Sequence, residues 1–113
     1  LSIVIVTDRM IHALNKKFLA HDYPTDVITF DLSDADALQR SATVLEAEIY
    51  VSAVMAWNRA REFGCQPAEE LMLYIVHGLL HLLGYDDGTP AAQQRMRKKE
   101  KEIMHFIMTN QRA

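Results

Sequence analysis

The stretch from Pro67 to Gly84 restricts this chain most: a proline able to open a helix, an apolar run from Leu71 to Tyr85, and a glycine able to end it. The run is shorter than the roughly 20 residues that span a bilayer, and His77 and His81 interrupt it. It reads as a helix in the core of one soluble domain. Four residues apart on a helix, the two imidazoles share a face one turn apart, where two nitrogens can reach one ion. A lone histidine on such a face is usually a core residue bonded to backbone. Two in register each need partners, at about 1–3 kcal/mol for every polar group left unpaired. A shared metal ion meets that need.

Gly84 lets the chain turn back three residues after His81, so that Asp87 can approach the same ion. The pattern is His-x-x-x-His-x-x-Gly-x-x-Asp over His77, His81, Gly84 and Asp87. Three protein ligands with an open fourth position is the arrangement of a catalytic zinc, whereas structural zinc is closed by four ligands and favours cysteine. Cys65 is the only cysteine, which argues against a thiolate cage and an internal disulfide and fits a reducing cytoplasm. The spacing is close to that of metzincin proteases, but those place a glutamate directly after the first histidine, and here that residue is Gly78.

A length of 113 residues, 50% of them hydrophobic and 24% charged, is that of one globular domain. The net charge of −3 argues against broad electrostatic coating of nucleic acid. The basic cluster Arg95, Arg97, Lys98, Lys99 and Lys101 is interleaved with Glu100 and Glu102 and reads as a solvated helix face. Leu1 to Thr7 lacks a basic leader and a cleavage site, so it reads as a strand and not as a signal peptide. Leu1 is not methionine, which fits the removal of an upstream segment.

Ser2 to Val6 is β-branched and expected as a buried strand, followed by a helix capped by Thr7 or Asp8, with Met10, Ile11, Leu14 and Phe18 at helical spacing. Asp26 to Phe30 reads as a second strand, Leu32 to Thr43 as a surface connection, and Val44 to Ser52 as a third strand. Ala53 to Phe63 then forms a helix stopped by Gly64, with Met55, Trp57 and Phe63 read as core. Thr89 can cap a last helix opened by Pro90, with Met96, Ile103, Met104 and Ile107 on its inner side. The fold class is α+β: a small, mostly N-terminal sheet packed against several helices, with the histidine helix central and buried.

The run His77-Gly78-Leu79-Leu80-His81-Leu82-Leu83-Gly84-Tyr85-Asp86-Asp87 resembles the signature of the YbeY family of rRNA-maturation endoribonucleases. Leu14-Asn15 and Pro24-Thr25-Asp26-Val27-Ile28-Thr29-Phe30 are similar to other marks of that family. In this chain Asp87 stands where the family usually has a third histidine, and Ala47-Glu48-Ile49 stands for its usual Gly-Asp-Ile. Ala53 and Val54 occupy the place of an arginine found in some members, with Arg59 or Arg61 as possible substitutes. The resemblance implies metal-dependent cleavage of single-stranded RNA near the 3′ end of small-subunit rRNA, with the small ribosomal subunit as partner in the cytoplasm.

The residues expected to act follow from that implication. His77, His81 and Asp87 would hold one divalent ion, zinc first, with nickel or another transition metal as alternatives. Gly78 cannot take a proton, so a general base must come from elsewhere: Glu48 first, then Asp86 and Asp26. Each has a plainer reading, Glu48 as a solvent-facing strand residue, Asp86 and Asp26 as turn residues. Arg59 is a candidate for stabilising the transition-state phosphorane, or else a surface arginine. His12, His21 and His105 lack a second ligand at useful spacing. Two other readings stand beside this one: a ribosome-assembly factor braced by a metal, and a zinc peptidase of unusual mechanism.

Overall fold

The computed structural model describes residues 1–32 and 46–110. The expected connection beyond Leu32 and the first residues of the expected third strand lie outside them. In chain order the elements are β1 (Ser2–Val6), α1 (Asp8–Leu19), β2 (Val27–Asp31), β3 (Ala47–Ser52), α2 (Ala53–Phe63), α3 (Pro67–Leu82) and α4 (Pro90–Asn110). The sheet order is β1-β3-β2, with β3 parallel to β1 and antiparallel to β2. This is the α+β architecture expected.

Side-chain oxygens satisfy the first orphan amides of three helices. Thr7 accepts from Met10, Ser52 from Met55 and Thr89 from Ala92, at 3.1–3.2 Å. Gly64 ends α2 with a φ of 70°, the left-handed conformation that glycine adopts without strain.

Alternation along β3 decides what each face of the sheet receives. Ile49 and Val51 point to the face covered by α3, where they join Ala56 and Tyr74 in a buried cluster flanked by Val27, Ile75, Leu79 and Leu82. Glu48 and Tyr50 point to the opposite face with Phe30, whose ring meets Tyr50 and, from α1, Phe18 edge-on. The α3 contact is close: a Cβ on Gly78 would lie 2.8 Å from Thr29 Oγ1 and 3.1 and 3.2 Å from two Ile49 methyls. Only a residue without a side chain lets the helix rest there. On its other side α3 buries Val76 and Leu80 against Met96 of α4, with Ile103, Met104 and Ile107 around them, as the spacing in α4 predicts.

Several expectations about burial are corrected. β1 is an edge strand, and α3 lies over β2 and β3, so Ile3 and Ile5 are 44% and 58% exposed. In α1 the buried residues are Ile11 and Asn15, while Met10 and Phe18 are more than half exposed. Asn15 is buried because its Nδ2 donates to the Tyr23 carbonyl at 2.9 Å, tying the loop after α1 to the helix. Trp57 and Phe63 are exposed, not core. The inner side of α2 is made by Ala56 and Ala60, small residues that let it approach α3, and Trp57, one position on from Ala56, is turned outward. Finally, α3 touches two strands and two helices but is not buried along its length, since its C-terminal end opens to solvent at His81 and Leu83.

Candidate metal centre

The last turn of α3 and the turn after it build the site. The Gly84 amide donates to the His81 carbonyl and the Tyr85 amide to that of Leu80, satisfying carbonyls that a helix end would leave free. Gly84 takes a φ of 98°, which reverses the chain. Tyr85 then packs against the Val76–Leu80–Met96 cluster, and Asp87 comes round beside the histidines. Asp86 turns away and accepts the Gly88 amide through Oδ1 at 3.2 Å, the local bond of an Asx turn.

His77 Nε2 and His81 Nε2 are 3.0 Å apart, and Asp87 Oδ2 lies 3.9 and 4.0 Å from them. A triangle with those sides has its equidistant point about 2.1 Å from each corner, within the roughly 2.0–2.2 Å of zinc–imidazole and zinc–carboxylate bonds. The donor set therefore fits a divalent ion of borderline softness. Among the described residues this is the one group of three or more His, Cys, Asp or Glu side chains so arranged. Cys65 is no competing ligand: burial, with Glu70 and Glu69 nearby, pushes its thiol up and keeps it protonated.

A cleft opens on either side of the pair. One, of about 320 Å³, is lined by His77, Asp87, Arg59, Tyr74, Arg97 and Glu100. The other, of about 450 Å³, is lined by His77, His81, Thr29, Leu19 and Leu82. Asp26 and Val27 belong to both. Arg59 thus reaches the histidine cleft from α2, where its Nη1 sits 3.6 Å from Asp26 Oδ2. Tyr74 is buried, and its hydroxyl finds no hydrogen-bond partner within bonding geometry among the described residues, Glu70 being the nearby carboxylate. Desolvation raises its pKa to about 12, with Arg59 opposing and the carboxylates of Glu70 and Asp26 adding to the shift.

The structure does not bring Glu48 to the histidines. It lies across the sheet from α3 and accepts a hydrogen bond from the Tyr50 hydroxyl at 3.1 Å, a bond that adds to the desolvation holding that phenol above its ordinary pKa. Asp86 is taken up by its turn and faces a separate pocket with Arg95. His12 pairs with Asp22 at 2.8 Å and His21 stacks on Tyr23, both apart from His77, His81 and Asp87.

Residues of α4 are the ones sequence reasoning missed. Glu100 Oε1 accepts from His77 Nδ1 at 2.6 Å, and Gln93 Nε2 donates to the Asp87 carbonyl at 3.0 Å. With Arg97 they recur at i, i+4 and i+7, a polar stripe that runs beside Met96 into the cleft. That spacing was the available signal. Arg97 accordingly leaves the basic cluster for the cleft, while Lys99 pairs outward with Glu102.

Fold and site together define a small α+β fold with a candidate three-ligand metal centre at a helix end. Comparison with known proteins narrows this. The sequence profile described as Endoribonuclease YbeY matches residues 1–108, and the chain belongs to that family. A relative named Endoribonuclease YbeY from Salinibacter ruber is 40% identical over 110 residues, covering 96% of this chain and 70% of its own length. Another of that name, from Rhodopirellula baltica, is 40% identical over 105 residues, covering 91% of this chain and 51% of its own. The chain thus spans between about half and three quarters of the curated relatives it matches. A solution structure from Thermotoga maritima superposes with a TM-score of 0.67 at 32% identity, over 97% of this chain and 69% of that one.

Proposed function

We propose that residues 1–113 act as a single metal-dependent hydrolase domain, an endoribonuclease that cuts single-stranded RNA during ribosomal RNA maturation, near the 3′ end of small-subunit rRNA. Membership of a family whose members are named endoribonucleases supports the substrate class. The observation that carries the reading is the meeting of His77, His81 and Asp87 about one point, between two clefts. The ion is proposed to be zinc, with nickel or another transition metal as alternatives. The proposed partner is the small ribosomal subunit, and the proposed place of action is the cytoplasm. No helix among the described residues is long and apolar enough to cross a membrane.

When bound, such an ion lowers the pKa of a water from about 15.7 toward about 7 and polarises a phosphoryl oxygen. The protein's own groups would do the rest. Asp26 is the one of the three carboxylates weighed as base that lines both clefts, so it is best placed to accept a proton from the attacking water. Arg59, held by Asp26, and Arg97 would bind phosphate oxygens, a task suited to the planar guanidinium. The peptidase reading is disfavoured at Gly78, where contact with the sheet leaves no room for a glutamate.

The test is cleavage of an rRNA precursor by the zinc-loaded protein and by His81→Ala. The expected loss is more than about 100-fold, with helical content by circular dichroism retained. Cleavage that survives in a folded His81→Ala protein would overturn the assignment. If chelation lowers Tm but leaves the processing rate unchanged, the metal is a brace and the assembly-factor reading replaces this one.

A further inference from the structure

α4 contributes none of the three ligands, yet two of them are held by its side chains. Glu100 is mostly buried, with its side chain 15% exposed, and its 2.6 Å contact to His77 Nδ1 is short even for a charge-assisted bond. Most exposed ion pairs are longer and contribute little. Lys99–Glu102 on the same helix is such a pair, at 3.3 Å with both side chains about half exposed. Met96, 1% exposed and one turn before Glu100, anchors this part of α4 against Val76 and Leu80. The carboxylate is therefore presented by a packed scaffold and not by a free surface rotamer.

We propose that Glu100 is a positioning residue for the metal ligand His77, with Gln93 supporting Asp87 from the same helix stripe. The chemistry is specific to one ring atom. A carboxylate oxygen can only accept, so His77 must carry its proton on Nδ1, which leaves the Nε2 lone pair directed at His81 Nε2 and Asp87 Oδ2. Without Glu100 the ring can hold its proton on Nε2, which blocks that atom as a ligand, and it can rotate about χ2. Carboxylates that accept from the far nitrogen of a metal-binding histidine fix its tautomer and raise its basicity, and losing them weakens metal affinity by about 10–100-fold. The Gln93 bond acts on the Asp87 main chain and so orders the turn that delivers the third ligand.

This rests on the metal centre proposed above, and the test separates the two. Zn2+ affinity is measured by competition with a chromophoric chelator on the wild-type chain and on Glu100→Ala, Glu100→Gln and Glu102→Ala. In parallel, ¹⁵N–¹H correlation spectra of the metal-free proteins report the His77 tautomer. Expected are a loss of about 10–100-fold in Glu100→Ala, a smaller loss in Glu100→Gln, whose amide oxygen can still accept from Nδ1, and none in Glu102→Ala. The spectrum should show His77 protonated on Nδ1 in the wild type and mixed in Glu100→Ala. Wild-type affinity and tautomer in Glu100→Ala overturn the positioning role and leave the metal centre standing. No zinc binding by the wild type overturns both. Should Glu100→Ala fail to fold, Glu100→Gln decides: the same affinity with an Nε2-protonated His77 would also overturn the role.

Discussion

The two faces of the sheet share three strands but differ in tightness and chemistry. On one, Ile49 and Val51 meet α3 so closely that position 78 has no room for a side chain, and the histidines stand at the end of that contact. On the other, Phe30 and Tyr50 meet α1 through edge-on aromatic pairs, and Phe18 remains more than half exposed. The candidate metal centre, which would need three atoms held about one point to within tenths of an ångström, is built on the face where packing leaves least slack. The looser face receives Glu48, a carboxylate directly before Ile49 and yet on the wrong side of the pleat.

Changing the tight face should have the larger effect. Gly78→Ala forces a Cβ against Thr29 and Ile49 and is expected to lower stability by about 1–3 kcal/mol, read from the denaturant midpoint. It should also weaken zinc binding as the helix lifts. Unchanged stability would show that this face is as yielding as the other. A smaller effect is expected at Tyr74. Its hydroxyl is buried without a hydrogen-bond partner among the described residues, so Tyr74→Phe should leave stability at pH 7 the same or raise it slightly. The alkaline limb is the sharper readout. Burial pushes the phenol up to about 12 in the folded state, against 10 for an exposed tyrosine, so the unfolded chain gives up its proton first and stability falls as pH rises from 10 toward 12. Tyr74→Phe should flatten that limb, seen as Tm against pH. Least of all should follow from Glu48→Gln across the sheet, with RNA cleavage and zinc affinity within about twofold of wild type. A large loss there would break the distinction between the faces.

Local rules were legible where the chain states them locally. Thr7, Gly64, Pro67 and Thr89 mark helix ends because caps act on their immediate neighbours. His77, His81 and Asp87 could be read together because one helix turn and one glycine turn join them. What stayed hidden depends on partners distant in sequence. The alternation of Ile49 and Val51 with Glu48 and Tyr50 tells that the carboxylate faces away from the aliphatic pair, but not which face α3 covers. β1 looks like a core strand, since nothing in Ser2 to Val6 records that it lies at an edge. Glu100 is 23 residues from His77, and its stripe looked like a solvated face until α4 was laid against α3.

The paired clefts have one further consequence. Among the described residues, His77, Asp26 and Val27 line both of them, so the proposed ligands stand between two openings. If the proposed RNA strand occupies both, its nucleotides continue on either side of the histidines. Such an arrangement would suit the cutting within a strand proposed above, whereas a blind pocket would count inward from an end.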